Sequence, residues 1–340
     1  MRYLSVCSGI EAATCAWHPL GWQPAAFSEI EKFPRQVLAH HYPHVPLHGD
    51  FTTIKGDEYG AVELLVGGTP CQSFSVAGLR KGLDDPRGNL MLTYLAIADK
   101  YRPTWLVWEN VPGVLSSNGG RDFGTFLGGL GKLGYGFSYR VLDAQYVRTD
   151  GYPYAVPQRR RRVFVVGHLG GWQRAAAVLF DSESLRGNPP PRREAGKAVA
   201  SKIKSCLDVG CAGTLTAGFG KVGAPEVDAY TCIPTKKWPA ETSSCMNAHF
   251  GDKQGLEDQH INQGAPMFTE GNGGMVRRLT PKECARLQGF PDDYLSQVPG
   301  YSDSAAYKAF GNSMAVNVMQ IIGKRIQMVS EIPMAQEIAA

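Results

Sequence analysis

The chain is poor in the features that mark secreted, membrane and zinc-binding proteins. None of its 8 cysteines form C-x-x-C pairs, and 340 residues is too long to need a disulfide framework. No apolar run is long enough for a transmembrane helix. The N-terminal stretch MRYLSVCSGIEAAT carries an acid early and lacks the long apolar segment of a signal peptide. We therefore expect a protein of the reducing cytoplasm without a membrane anchor.

The chain also lacks a strong charge excess and internal repeats. Its net charge of +4 permits a polyanionic partner without requiring one, and its hydrophobic fraction of 43% is ordinary for a globular protein. The arginines are clustered, most densely in QRRRR at 158–162. A chain of this length favours one large domain and one smaller domain.

The first half alternates short apolar runs with amphipathic segments. The runs RYLSV, PAAFS, VELLV, TWLVW and VFVVG predict buried strands, and EKFPRQVLAHHY, NLMLTYLAIADKY and TFLGGLGKL predict helices between them. Such alternation predicts an α/β fold with a mostly parallel sheet covered on both faces. Ligands of such sheets bind beyond the carboxyl ends of the strands.

The second half differs from the first in composition and in hydrophobic periodicity. From His168 to Met275 the chain is rich in Gly, Pro, Ser and Thr with weak periodicity, which predicts a loop-rich second domain. Order returns with LTPKECARLQGF, which has a Thr N-cap, and with a long amphipathic helix after GNS. We expect a first domain of residues 1–167 and 276–340, and a second of residues 168–275.

A cysteine follows one of the predicted strands directly behind a proline. Cys71 lies in GGTPCQSFS, among Gly and Ser residues whose amides can face a ligand. It is either a packed loop cysteine or a nucleophile, and a nucleophilic cysteine needs cationic neighbours that favour the thiolate. The arginines at 159–162 supply such charges if the fold brings them near.

Two further motifs place ionisable groups at strand ends. Glu109 and Asn110 follow TWLVW, and Glu109 is either a solvated acid or a carboxyl that donates to a heterocycle nitrogen, since desolvation raises such a pKa. Because alternate residues of a strand face opposite sides, Arg160 and Arg162 share one face, while Arg159 and Arg161 share the other.

The first predicted strand is followed by the start of a helix. CSGIEAAT is placed where a nucleotide cofactor meets a helix N-terminus, although a single Gly is a weak signal. Glu29, about twenty residues on, stands where an acid holds ribose hydroxyls, and Asp50 is a further polar candidate at that edge.

Taken in order, PCQ, ENV, QRRRR and GNS resemble the motifs of the DNA cytosine-5 methyltransferases, over nearly the whole chain except 168–275. The resemblance implies a Rossmann-like S-adenosylmethionine-dependent methyltransferase fold with a mostly parallel sheet and a smaller loop-rich target recognition domain. It implies S-adenosylmethionine as the cofactor, double-stranded DNA as the partner and a monomer. Bases of the target are expected to be read within 168–275, where Lys236, Lys237, Trp238, Asn247 and His249 are unranked candidates.

The resemblance also implies roles for individual residues. Cys71 would attack carbon 6 of a flipped-out cytosine, Glu109 would hold ring nitrogen 3, Arg162 would grip the carbonyl at position 2, and Arg160 would brace the site. The base that removes the hydrogen at carbon 5 is not identified. The cofactor contacts would come from Cys7, Ser8, Gly9, Ile10, Glu29, Ile30, Asp50, Phe51, Pro70, Leu90, Asn312 and Ser313. The nucleic acid contacts would come from Gln72, Ser75, Asn110, Gln158, Arg80 and Arg87, with 75–90 as a mobile lid.

One motif departs from the family pattern. Cys7 stands where the family usually has Phe, and Glu11 and Ala12 replace a Gly pair. The loss of an aromatic wall would weaken cofactor stacking by roughly 0.5–1.5 kcal/mol.

Three alternatives remain open from the sequence. A related subgroup methylates a transfer RNA and carries a Cys-Phe-Thr segment; MFTEG is the nearest stretch here. A catalytically inactive DNA-binding relative is the second. The third is a structural zinc site formed by Cys206, Cys211, Cys232, Cys245 and His249, although scattered buried cysteines fit these spacings better and no metal is expected.

Overall fold

The fold is described from a computed structural model, which describes residues 1–70, 90–180, 267–270 and 275–333. The strands are β1 (Arg2–Val6), β2 (Gln23–Ser28), β3 (Leu47–His48), β4 (Leu64–Gly67), β5 (Trp105–Asn110), β6 (Tyr135–Asp143), β7 (Arg161–Leu169), β8 (Met267–Glu270) and β9 (Met275–Arg278). The helices are α1 (Ala12–Trp17), α2 (Lys32–His41), α3 (Leu90–Tyr101), α4 (Arg121–Lys132), α5 (Trp172–Leu179), α6 (Pro281–Gln288), α7 (Asp303–Asn312) and α8 (Val316–Ser330). Among the helices of these residues, none is long and apolar enough to cross a membrane.

The main sheet has 7 strands in the order β3-β2-β1-β4-β5-β7-β6. The first five of these strands pair in parallel, and β7 runs antiparallel between β5 and β6. The chain leaves β1 towards β2 on one side and returns to β4 on the other, so β1 and β4 flank the topological switch point where such sheets bind ligands. The predicted mostly parallel α/β sheet is confirmed.

Hydrophobic side chains cover both faces of this sheet. One core cluster contains Trp17, Trp105 and Phe310, and it joins α1, α7 and α8 to the sheet. The other contains Tyr94 and Trp108 and is formed with α3 and α4. Because both faces are buried, the polar groups of the parallel strands reach solvent mainly at the strand ends.

Most of the predicted elements are present. The five predicted strands correspond to β1, β2, β4, β5 and β7, whereas the edge strand β6 and the short β3 were not predicted. The expected N-cap of α6 is a full capping box: Thr280 Oγ1 accepts from Glu283 N at 3.3 Å, and the Glu283 carboxylate accepts from Thr280 N at 2.7 Å.

The domain boundary expected at residue 168 falls inside the unit formed by the seven-stranded sheet and the helices that pack on it. Strand β7 continues to Leu169, and α5 packs on β6 and α8. The buried Arg174 guanidinium donates to the carbonyls of Val329 (3.1 Å) and Ile332 (2.7 Å) and so caps the end of α8. The sheet unit therefore extends at least to Leu179. The recognition domain stays a prediction, since most of it, at 181–266, lies outside the described residues.

Candidate active site

A cavity opens at the switch point between β1 and β4, where sheets of this kind bind ligands. The β1–α1 loop, the end of β4, Glu109 and residues 312–314 line it. The structure thus brings together five predicted cofactor contacts: Cys7, Ser8, Gly9, Asn312 and Ser313.

The β1–α1 loop has an unusual backbone. Cys7, Gly9 and Glu11 adopt positive φ angles of 51°, 55° and 61°. Glycine adopts this conformation without strain, whereas each other residue costs on the order of 1 kcal/mol or more. The loop is fastened to the end of β2, because Ser8 N donates to Ser28 O at 3.0 Å.

Glu29 joins the same loop to the end of β2. Its Oε2 accepts from Gly9 N at 2.8 Å, and its Oε1 accepts from Ile30 N and Glu31 N, both at 2.8 Å. A carboxylate has about four acceptor positions, so one remains for a further donor. The contact with ribose hydroxyls stays a prediction.

Cys7, Glu29 and Asp50 lie close together. Burial raises the pKa of the Cys7 thiol to about 12, and the nearby carboxylates of Glu29 and Asp50 add to that rise. Asp50 begins the short helical turn Phe51–Thr53 by accepting from Thr52 N at 2.9 Å. The Ile30 side chain, next to Glu29 in the chain, is 70% exposed.

Two residues predicted to contact the cofactor are buried in the core, and their contact with it stays a prediction. Ile10 is 0% exposed and packs in the core, and its carbonyl accepts from the Tyr294 hydroxyl at 2.9 Å. The Phe51 ring is 5% exposed and packs in the second core cluster. Both side chains are apolar and turn inwards for that reason. Pro70 is exposed at the end of β4, and Leu90 begins α3 partly buried.

Glycines at the end of β4 allow a close approach to Glu109. A Cβ at Gly68 would lie 2.9 Å from Glu109 Oε2 and 3.2 Å from Met314 Cε. A Cβ at Gly67 would lie 2.6 Å from Val6 Cγ2. Gly68 therefore lets the backbone after β4 approach the carboxyl group, and Gly67 lets β4 pack closely against β1.

The next residue, Thr69, is held at both its side chain and its backbone. Trp108 Nε1 donates to Thr69 Oγ1 at 3.0 Å, and Asn110 Nδ2 donates to Thr69 O at 2.9 Å. The sequence did not single out Thr69 or Trp108, because neither a threonine nor a strand tryptophan signals a role. These bonds fix the chain immediately before Pro70 and Cys71.

Glu109 and Arg162 form an ion pair inside the site. Arg162 Nε lies 3.0 Å from Glu109 Oε1, and their side chains are only 16% and 12% exposed. Burial raises the pKa of Glu109 above its ordinary value, although Arg162 and Arg160 partly oppose this rise. The carboxyl therefore has the partial desolvation expected of an acid catalyst.

The arginine run alternates as predicted. Arg160 and Arg162 are buried or half-buried, whereas Arg159 and Arg161 are exposed. The Arg160 guanidinium donates to Gly311 O (3.0 Å) and Ser313 O (2.6 Å). It therefore braces the GNS segment against the start of β7.

Two residues expected to face nucleic acid are buried instead. Asn110 is 3% exposed, and its Oδ1 accepts from Val111 N while its amide nitrogen binds Thr69 O. Gln158 is 0% exposed and donates to Leu287 O at 3.1 Å, which ties the entry of β7 to α6. Both amides donate to buried backbone carbonyls, and their contact with nucleic acid stays a prediction.

Several predicted residues lie outside the described residues. These are Cys71, Gln72, Ser75, Arg80 and Arg87, together with the candidate base-reading residues and zinc ligands between 206 and 249. Their roles stay predictions.

Comparison with known proteins gives the family. The profile of the family described as C-5 cytosine-specific DNA methylase matches residues 1–208 and 212–328. The chain is 34% identical over 467 aligned positions to a DNA N-6-adenine-methyltransferase of Escherichia phage P1, covering 95% of this chain and 61% of that protein.

Two further proteins are similar along most of their length. The Type II methyltransferase M.DsaV of Dactylococcopsis salina is 27% identical over 96% of this chain and 86% of its own. The fold resembles the crystal structure of the S. pombe Dnmt2 methyltransferase, with a TM-score of 0.64, 19% identity and coverage of 97% of this chain and 99% of that chain. The family profile covers nearly the whole chain, and the chain therefore belongs to the C-5 cytosine-specific DNA methylase family.

Proposed function

We propose that this chain transfers a methyl group from S-adenosylmethionine to carbon 5 of a cytosine in a specific sequence of duplex DNA. The observation that carries the proposal is the buried Glu109–Arg162 pair, which lies at the strand-end edge reached by the chain just before Cys71. Its relatives include a Type II methyltransferase, which supports a sequence-specific modifying role. A free nucleophilic thiol suits the reducing cytoplasm.

The reaction needs a nucleophile because carbon 5 of cytosine is itself unreactive. The Cys71 thiolate forms a bond to carbon 6, and Glu109 gives a proton to ring nitrogen 3 as electron density moves towards it. The resulting enamine is nucleophilic at carbon 5, which takes the methyl group. A base then removes the carbon 5 hydrogen, the bond to Cys71 breaks with return of the thiolate, and Glu109 recovers its proton.

The two inner arginines have separate tasks in this proposal. Arg162 lies on the Glu109 carboxyl at 3.0 Å, so it orients that group and can also donate to the carbonyl at position 2 of the base. Arg160 donates to the GNS backbone and thereby holds the wall of the cavity in place.

The residues of the cavity fit S-adenosylmethionine. The β1–α1 loop, Gly68 and residues 312–314 line a cavity at the switch point, and Glu29 retains acceptor capacity beside the exposed Ile30. When bound, S-adenosylmethionine supplies an electrophilic methyl group on a positively charged sulfur. Residues 7–9, 29 and 50 would hold its nucleoside portion, and Asn312 and Ser313 would close the opposite wall.

A cytosine inside a duplex is out of reach of this cavity, so the base must be flipped out. Flipping costs a few kcal/mol and is offset by contacts of the base in the pocket and of the phosphates at the surface. We propose that residues 75–90 close over the base and that residues within the predicted recognition domain, 168–275, read the target sequence.

One relative raises a second target, adenine, since the phage P1 protein is described as a DNA N-6-adenine-methyltransferase. The alignment spans 467 positions, more than the 340 residues of this chain, so that protein carries additional segments. Methylation of an exocyclic amine needs no thiol adduct, because its nitrogen can attack the methyl group directly. The Cys71, Glu109 and Arg162 set therefore favours cytosine.

Mass spectrometry of nucleosides tests the proposal. Duplex DNA and transfer RNA are each incubated with the protein and isotopically labelled S-adenosylmethionine, then digested and analysed. We expect labelled 5-methyldeoxycytidine from DNA alone, and none with Cys71→Ser. Labelled N6-methyldeoxyadenosine, labelled RNA in place of DNA, or full activity of Cys71→Ser would contradict it.

A further inference from the structure

Glu11 occupies a position where its backbone favours glycine. It precedes α1 with φ 61° and ψ 57°, a left-handed conformation, and its side chain is 1% exposed. The residue lines the cavity at the switch point. A large acidic side chain held in a strained conformation at a ligand cavity points to a task for the carboxyl group.

Neutral donors hold the Glu11 carboxylate. Oε2 accepts from Thr14 N at 3.0 Å and from Thr14 Oγ1 at 2.5 Å, and Oε1 accepts from the Ser5 hydroxyl. The Tyr3 hydroxyl contacts Thr14 Oγ1 at 2.6 Å. The group is therefore oriented on two sides and anchored to both β1 and α1.

The ionisable groups around Glu11 are acids. Tyr3 on β1, Cys15 on α1 and Tyr42 at the end of α2 each interact with its charge, and burial raises the pKa of all three. Cys7, whose pKa is raised to about 12, and Glu109 line the same cavity as Glu11. No lysine, arginine or histidine of the described ranges pairs with Glu11, whereas Glu109 has Arg162.

The reaction brings a positive charge into this cavity. The methyl group must be delivered beside Glu109, and its sulfur carries a positive charge, with the α-ammonium of the same methionine portion close by. Glu11 and Glu109 line the same cavity. Glu109 already forms an ion pair with Arg162. Among the described residues, Glu11 has no such cation, so it is the carboxylate available to the positive charge of the cofactor.

We propose that Glu11 is the carboxylate that complements the positive charge of the methionine portion of S-adenosylmethionine, an inference that rests on the proposed function. Burial raises the pKa of Glu11 before the ligand arrives. A bound positive charge favours the ionised carboxylate, so binding releases a proton from Glu11. The affinity for the cofactor therefore falls as the pH falls.

Isothermal titration calorimetry tests this inference. S-adenosylmethionine is titrated into the protein between about pH 5 and pH 7, below the ordinary pKa of an α-amino group, in two buffers of different ionisation enthalpy. We expect net proton release from the unmodified protein. In Glu11→Gln we expect this proton release to disappear. We also expect the affinity for S-adenosylmethionine at pH 7 to fall by about tenfold or more, which corresponds to a shift of one unit in the pKa of Glu11 on binding.

Two controls separate charge from shape. 5′-Methylthioadenosine has neither the sulfonium nor the ammonium, so its affinity should be equal in both proteins. Glu109→Gln should keep the proton release if that proton comes from Glu11. Equal affinity of both proteins for S-adenosylmethionine, or equal proton release in Glu11→Gln, would overturn the inference.

Circular dichroism and thermal melting would reveal whether Glu11→Gln folds. If it does not, a second variant tests the inference. Ser5→Ala removes one donor from the carboxylate and so raises its pKa further. The pH at which cofactor affinity declines should then shift upwards, and no shift would refute the inference. If the unmodified protein binds no S-adenosylmethionine at any pH, the proposed function itself is wrong.

Discussion

The indole of Trp108 donates to the hydroxyl of Thr69 across the strand ends of β4 and β5, at 3.0 Å. Both side chains are buried, and Asn110 holds the carbonyl of the same threonine. The nucleophile loop thus leaves the sheet from an anchored residue. Cys71, the proposed nucleophile, follows two positions later, so we expect this anchor to direct its approach to the base.

Thr69→Val should slow catalysis more than it weakens binding. The valine retains the shape but leaves Trp108 Nε1 without its acceptor, and a displacement of about 1 Å at a reacting group can cost roughly 10²-fold. We expect kcat to fall about 10- to 100-fold with little change in KM for S-adenosylmethionine. Thr69→Ser keeps the hydroxyl and should behave like the parent. An unchanged kcat in Thr69→Val would show that the anchor does not position the loop.

Arg162 should set the pH range of activity through Glu109. The arginine charge favours the ionised carboxylate, so it lowers a pKa that burial raises. Because the protonated acid is the active form, activity declines as the pH rises through that pKa, and removing the charge in Arg162→Gln should move the decline to higher pH. Arg162→Lys keeps a charge and should leave the decline near its parental position.

Single-turnover methylation rates measured against pH on prebound DNA check this. Loss of a donor to the base should also lower the maximal rate of Arg162→Gln by roughly 10²–10³-fold. A decline that moves to lower pH, or does not move, would contradict the assignment of Glu109 as the acid.

Arg160 should contribute mainly to stability. Arg160→Met leaves the buried carbonyls of Gly311 and Ser313 without their charged donor, and such bonds are worth about 1.5–3 kcal/mol each. We expect a matching loss in the free energy of unfolding by urea, with weaker cofactor binding because Ser313 lines the cavity. The exposed neighbour serves as control, since Arg159→Ala should change stability by less than about 0.5 kcal/mol.

Cys7 should be an unreactive thiol. Its pKa is raised to about 12, which favours the neutral form, so roughly one molecule in ten thousand carries a thiolate there at pH 8. Alkylation with iodoacetamide followed by peptide mass spectrometry should find Cys7 unmodified in the folded protein and modified after denaturation. Modification in the folded protein at the rate of an unstructured peptide would contradict the raised pKa of the Cys7 thiol beside Glu29 and Asp50.

The sequence was a good guide where the local pattern sets the structure. Continuous apolar runs predicted β1, β4 and β5, and strand alternation placed Arg160 and Arg162 on the inner face. The edge strand β6 was missed because YGFSYRVLD mixes polar and apolar residues without a strong period. A strand at the edge of a sheet that faces solvent does not require a regular alternation of polar and apolar residues.

Long-range contacts were harder to predict. The sequence predicted that Asn110 and Gln158 contact nucleic acid. In the structure, each donates a hydrogen bond to a buried backbone carbonyl, 41 and 129 positions away in the chain respectively. The strained conformation of Glu11 depends on contacts with β1 that no local pattern reveals. Such roles depend on which backbone groups the fold leaves unsatisfied, and only the three-dimensional arrangement shows them.

Covalent trapping on a fluorinated base tests the central claim most directly. Fluorine replaces the hydrogen that must leave carbon 5, so a duplex that contains 5-fluorocytosine at the target should halt the reaction after methyl transfer. In the presence of S-adenosylmethionine we expect a stable protein–DNA adduct whose peptide carries the base on Cys71, and no adduct with Cys71→Ser. Methylation of the unmodified duplex without any adduct, or an adduct on another residue, would contradict the account.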